Sequence, residues 1–229
     1  MCNRFNYIFV RIVGISSQHP LRPCWTTPKM VKALLVMDIQ NGIVGRYPVE
    51  AITLLFANLN AALEVARASG LVVLFVRVAF REGAPEVSLN NKSFSATIAS
   101  SPPDVFGESA PATQIHDEMK RQPNELLITK RRVGAFTGSD LDVVLRAKNV
   151  DELILSGIST SGVVLSTVRA AADMDYKITV LRDGCVDMDE EVHRVLMDKV
   201  FARQCSVINV AEWVEQVKKS PLDSPRSAK

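Results

Sequence analysis

Cysteine, histidine and net charge are all scarce in this sequence. Of 229 residues, 27 are Lys or Arg and 25 are Asp or Glu, a formal charge of +2. That balance argues against a nucleic-acid-binding surface, which needs a surplus of cations against phosphate. The four cysteines, Cys2, Cys24, Cys185 and Cys205, form no CxxC pair, so neither a zinc ribbon nor a redox dithiol is signalled. A chain this long buries its own core without disulfides, and the cysteines read as reduced. The three histidines, His19, His116 and His193, make no HExxH or clustered pattern, so no metal is expected. No uninterrupted run of about eighteen apolar residues occurs, which argues against a membrane-spanning helix. With 47% hydrophobic and 23% charged residues the composition is ordinary for a globular domain, which excludes disorder, collagen and coiled coil for the bulk.

Acidic residues are missing altogether from positions 1–29, which carry Arg4, Arg11, Arg22 and Lys29. This basic N-terminal extension has the composition of an organellar targeting segment, or is an extension without function. It makes a poor secretory signal, because Arg11 interrupts its apolar stretch. Residues 30–219 read as one domain, cytoplasmic unless the extension directs it elsewhere. Residues 220–229, "SPLDSPRSAK", read as a polar disordered tail.

Within the domain, short apolar runs alternate with helical spacing. "KALLVM" (32–37), "LVVLFVRV" (71–78), "ELLIT" (125–129), "ELILSG" (152–157), "KITVLRD" (177–183) and "SVINV" (206–210) read as strands. Residues 50–69 predict a helix with Leu54, Leu55, Leu59, Leu63 and Ala66 on one face, ended by Gly70. Further helices are expected over 139–148, 163–174, 189–201 and 211–219. Apolar strands alternating with helices imply an α/β fold: a six-stranded, mainly parallel sheet with helices on both faces. Residues 80–112 break the pattern, hold Pro85, Pro102, Pro103 and Pro111, and read as a lid or binding loop, or as a surface insertion or oligomer contact.

In open α/β sheets ligands bind beyond the carboxyl ends of the strands. The polar residues there are Asp38 after the first strand, Arg77 and Arg81 at the second, Lys130 at the third, and "GISTSG" (157–162) at the fourth. An Asp directly after an apolar strand is partly desolvated, which raises its pKa, whereas a nearby Lys lowers it; such a pair can hold a proton for acid–base work. The alternative for Asp38 is a turn cap. "GISTSG" has the glycine gap of a phosphate loop, but Val163 and Val164 stand where Lys and a hydroxyl residue are needed, and no GxGxxG follows the first strand. No nucleotide cofactor is expected. What remains is a hydroxyl-rich turn, either an anion or oxyanion site made by Ser159, Thr160, Ser161 and Gly162 or a capped helix start.

Together, "ALLVMDIQNG", "ITKRRVGAFTGSDLDVVLR" and "LSGISTSGVVLSTVRAAADMDYKITVLRDGC" resemble the isochorismatase-like hydrolases from about Lys32 to Trp213. The resemblance implies a three-layer Rossmann-like domain that forms homo-oligomers, dimers or tetramers. It implies a catalytic Asp–Lys pair, which falls on Asp38 and Lys130, and a cis peptide at Ile158–Ser159. Cysteine-dependent members follow a pattern like G-[VI]-x-T-x-x-C-V-x-x-T. Gly157, Ile158, Thr160, Val164 and Thr167 fit it, but Val163 stands at the nucleophile position.

A valine cannot attack a carbonyl. The expectation is therefore a cysteine-independent hydrolase of a small anionic metabolite, with Asp38 as acid and with Lys130, Arg77 or Arg81 holding a carboxylate. Ser159 and Ser161 would orient water. Two alternatives stay open: amide hydrolysis by a serine or an activated water, and an inactive binding protein on the same scaffold. Neither nucleic acid nor membrane is an expected partner. If residues 1–29 are dispensable, a chain starting at Met30 will keep the full-length melting temperature; a fall of several degrees, about 1 kcal/mol or more, would show that the extension packs on the fold.

Overall fold

The structure is a computed structural model that describes residues 30–219; the basic extension and the polar tail lie outside the described residues. Six strands form one sheet among them: β1 (Val31–Met37), β2 (Val72–Val78), β3 (Leu126–Lys130), β4 (Val150–Ile158), β5 (Lys177–Val186) and β6 (Ser206–Ile208). Their spatial order is β3-β2-β1-β4-β5-β6, and every neighbouring pair is parallel. The helices are α1 (Asn41–Val44), α2 (Val49–Ala68), α3 (Lys92–Ala99), α4 (Leu141–Ala147), α5 (Leu165–Asp173), α6 (Glu190–Val195) and α7 (Val210–Lys219).

The continuous apolar strands follow from burial on both faces. Along β1, Ala33, Leu35 and Met37 face one core with Leu141 and Leu145 of α4 and Val168 and Ala171 of α5. Leu34 and Val36 face the other, with Leu55, Leu59 and Leu63 of α2 and Trp213 and Val217 of α7. These are the three layers expected from the alternation of strands and helices. The buried stripe of α2 is Ile52, Leu55, Leu59, Ala62, Leu63 and Ala66. Leu54, expected on that face, is 63% exposed, because it sits one residue, about 100°, off the 3–4 spacing. Among the described residues α2 is also long and apolar enough to cross a membrane, but its apolar stripe is spent on the sheet and α7.

Local signals set the ends. Gly70 takes φ +68 after α2, and the Leu71 amide donates to Ala66 O, closing the helix. Asp189 caps α6 by accepting from the amides of Glu191 and Val192. The helix expected over 163–174 opens earlier, as a wide π segment, Thr160–Val164, that runs into α5; the Val164 amide reaches Ser159 O. A second π segment, Leu196–Val200, follows α6. The stretch 80–112 is not featureless. It contains α3, capped by Asn91, whose side chain accepts from the Phe94 amide, and Phe80 bridges Gly107.

Gly157 lets β1 and β4 meet. It has φ +140, and a Cβ there would stand 2.1 Å from Met37 O. Gly157→Ala is expected to destabilise the fold by about 3 kcal/mol or more, since strain and overpacking each cost roughly 1–3 kcal/mol. Chemical denaturation of the variant against the wild type measures it.

Candidate active site

The strand order reverses direction between β1 and β4. At such a switch point the connections leave on opposite faces and open a crevice at the carboxyl edge. Asp38 follows β1 and Ser159 follows β4, so both stand at this crevice. A cavity of about 440 Å³ opens there, lined by Asp38, Lys130, Ser159, Gly162 and Val163, with Arg46, Tyr47, Phe80, Phe94, Phe106 and Met188 among its other walls.

Asp38 has φ +58, a left-handed conformation that Asp tolerates better than most residues, and its amide donates to Val76 O. Gln40 locks the next turn: its side-chain amide donates to Val78 O and Thr113 O and accepts from the Val78 amide, so β1 stays tied to β2 beyond the last strand pairing. Lys130 lies two strands from Asp38, and its long side chain spans β2. The ammonium sits 2.9 Å from Asp38 Oδ2 and donates to Arg132 O at 3.0 Å and Val133 O at 2.9 Å. A lysine has three hydrogens to give. All three are committed, and Lys130 is 2% exposed. The other carboxylate oxygen, Asp38 Oδ1, is buried without a hydrogen-bond partner among the described residues. Burial raises the Asp38 carboxyl above the ordinary carboxylate range, and Lys130 opposes the rise without cancelling it.

Arg77 and Arg81, expected to hold a carboxylate beside this pair, do not line the cavity. Side chains alternate along a strand. Arg77 pairs in register with Thr129 and Val78 with Lys130, so Arg77 projects to the face opposite the lysine. There it is spent on Thr129, Gln114 and Glu108 O. Arg81 pairs with Glu86 at 2.7 Å and lines a separate open groove with Pro102 and Pro103. The hydroxyl-rich turn divides as well. Ser159 faces the cavity, and its oxygen accepts from the Gly162 amide as a helix cap does. Thr160 is buried behind it, its hydroxyl 2.8 Å from His193 Nδ1. Ser161 is exposed outside the cavity, and its amide donates to Asp187 Oδ2. With the amides at 161 and 162 engaged, the turn is a capped helix start first.

Neither described cysteine lines the cavity. Cys185 is buried within β5, and burial pushes its thiol up to about 12. Cys205 is raised to about 11 for the same reason. Neither is a ready thiolate. Val163, 2% exposed, forms part of the wall.

Residues 32–212 match the isochorismatase domain. The chain belongs to the isochorismatase family. It is 30% identical over 224 residues to a ureidoacrylate amidohydrolase, RutB, of Stutzerimonas stutzeri, covering 87% of this chain and 86% of that protein. It is 29% identical over 186 residues to an isochorismatase family protein, YwoC, of Bacillus subtilis, covering 81% and 94%. An isochorismatase family structure from Burkholderia thailandensis superposes with a TM-score of 0.70 at 25% identity, over 82% of this chain and 96% of that one. Family membership and the amidohydrolase relatives make this chain a hydrolase. The N-carbamoylsarcosine amidase of Thermoplasma acidophilum, with a TM-score of 0.64 at 20% identity over 86% of this chain and 100% of that one, shares the fold.

Sequence reasoning missed Arg46, Tyr47, Phe80, Phe94, Phe106 and Met188. All six come from turns, loops or the short α3, where no periodicity marks an inward side. Tyr47 is half-buried, and burial, with Asp187 adding, pushes its phenol up to about 12. The pair at the floor gives a direct test. Lys130→Ala leaves the buried Asp38 carboxyl and two carbonyls without their donor, and is expected to cost about 3–5 kcal/mol. Thermal unfolding at neutral pH reads the loss as a melting point lowered by roughly 6 °C or more.

Proposed function

We propose that this isochorismatase-family hydrolase acts on a small anionic metabolite by acid-assisted, non-covalent hydrolysis at Asp38. One observation carries the reading. Lys130 donates to Oδ2, so the proton of a neutral Asp38 belongs on Oδ1, the buried oxygen that has no hydrogen-bond partner among the described residues. Burial raises this carboxyl and favours the form that carries that proton.

The chemistry that fits is cleavage of an enol ether. Asp38 Oδ1 gives its proton to the terminal carbon of the double bond, and an oxocarbenium ion forms. Water adds to that ion and returns a proton to Asp38. The hemiketal then collapses to a carbonyl compound and an alcohol. Lys130 binds no substrate in this scheme; it holds the carboxyl in place and limits the rise in its pKa. Ser159, whose oxygen accepts from the Gly162 amide, lies beside the Tyr47 phenol, and the two hydroxyls line the cavity where water or substrate would sit. No thiol or nucleophilic serine is required: Val163 stands in the wall, Ser161 lies outside it, and Ser159, which does face the cavity, is engaged as a helix cap.

The likeness to ureidoacrylate amidohydrolases supports a second reading, in which ionised Asp38 draws a proton from water that attacks an amide. The two readings differ in sign with pH. An acid with a raised pKa is active below that pKa, so kcat/KM falls as pH rises through it; a base gives the opposite limb. Asp38→Asn is expected to lose about 10²–10⁴ in rate and the limb with it, whereas thiol alkylation leaves activity intact. A panel of small enol ethers and amides of carboxylic acids, assayed across pH, tests both. Full activity in Asp38→Asn, or an acyl-enzyme trapped on a serine or cysteine, would sink the acid reading.

A further inference from the structure

The cavity over Asp38 contains a cation that nothing in the described structure neutralises. Lys130 is saturated by Asp38, Arg132 O and Val133 O. Of the arginines near the carboxyl edge, Arg77 is held by Thr129, Gln114 and Glu108 O, Arg81 by Glu86, and Arg131 by Glu86 and Glu108, while Arg132 donates to Arg131 O and does not line the cavity. Arg46 differs. It follows α1, lines the cavity and is exposed, and its guanidinium makes no ion pair or hydrogen bond among the described residues.

The wall of the same cavity is mostly apolar and includes three phenylalanines. Phe80 and Phe94 meet edge to face with ring centroids 5.4 Å apart. Phe106, Val78, Val133, Ile158, Val163 and Met188 add apolar surface, and Tyr47, Ser93 and Thr97 bring hydroxyls. Asp38 Oδ1 lies buried at the floor without a hydrogen-bond partner among the described residues. The cavity therefore combines a reactive polar floor, an aromatic wall suited to a flat apolar body, and a guanidinium whose donor fork matches a carboxylate.

We propose that Arg46 is the anion anchor of this cavity and that its ligands are small carboxylates with a flat, unsaturated or aromatic body. Arg46 sets specificity and binding orientation, and the phenylalanines select shape. The inference rests on the Asp38 cavity being the substrate site, but it does not depend on which bond is cleaved there.

Benzoate and its neutral isostere benzamide serve as probes, with binding to the full chain measured by calorimetry. Benzoate is expected to bind more tightly than benzamide. Arg46→Gln should weaken benzoate at least about tenfold, as loss of a charge-assisted contact does, and leave benzamide unchanged. Arg46→Lys should recover only part of the affinity, because the fork is lost while the charge stays. Phe94→Ala should weaken both probes. Equal affinities for the two probes, benzoate binding that ignores Arg46→Gln, or no binding of either would overturn the proposal. Binding is read without turnover, so retained activity in Asp38→Asn would remove the acid chemistry and leave this inference standing.

Discussion

The three hydrogens of the Lys130 ammonium organise the carboxyl edge of this protein. An ammonium that is 2% exposed needs hydrogen-bond acceptors in place around it. One acceptor is a carboxylate oxygen and two are carbonyls of the loop after β3. The same contacts fix that loop, aim Asp38 and decide which of its two oxygens is left over. In the proposed chemistry such a lysine acts on its neighbour, and the substrate is left to other groups.

The sheet makes that arrangement possible. β1, β2 and β3 lie side by side, so the lysine at the end of the edge strand can reach the aspartate at the end of the central one. Gln40 extends the β1–β2 pairing by side-chain bonds and keeps the two strand ends in step. Gly157 admits Met37 O at a distance no Cβ would allow and brings the β4 turn down beside Asp38. Residues from the loop over 80–112 then wall the cavity, with Phe80, Phe94 and Phe106 contributing most of its aromatic surface.

In the proposed chemistry a buried acid replaces a nucleophile. Burial pushes the thiols of the described cysteines up, and neither lines the cavity, while Val163 lends its wall apolar surface. A drier wall raises the carboxyl pKa further. In that proposal an apolar side chain at this position and a protonated acid go together.

The layer order, the strands and the positions of Asp38 and Lys130 were legible in the chain, because burial of a sheet on both faces leaves continuous apolar runs and polar residues mark where they stop. Even the capped character of the turn at 159–162 was one of two readings open from its hydroxyl content. What composition and spacing did not reveal was direction. Arg77 and Lys130 both stand at strand ends, yet the pleat sends them to opposite faces. Ser159 and Ser161 lie two residues apart, yet only the first faces the cavity. Arg46, Tyr47 and Phe94 become neighbours of Asp38 only after chain segments far apart in sequence are brought over one edge of the sheet. Local sequence determined which residues leave the core, since that depends on hydrophobicity and nearby backbone preference. Tertiary structure alone decided which of them share a cavity, since that depends on strand order, pleat and the paths of loops that carry no period.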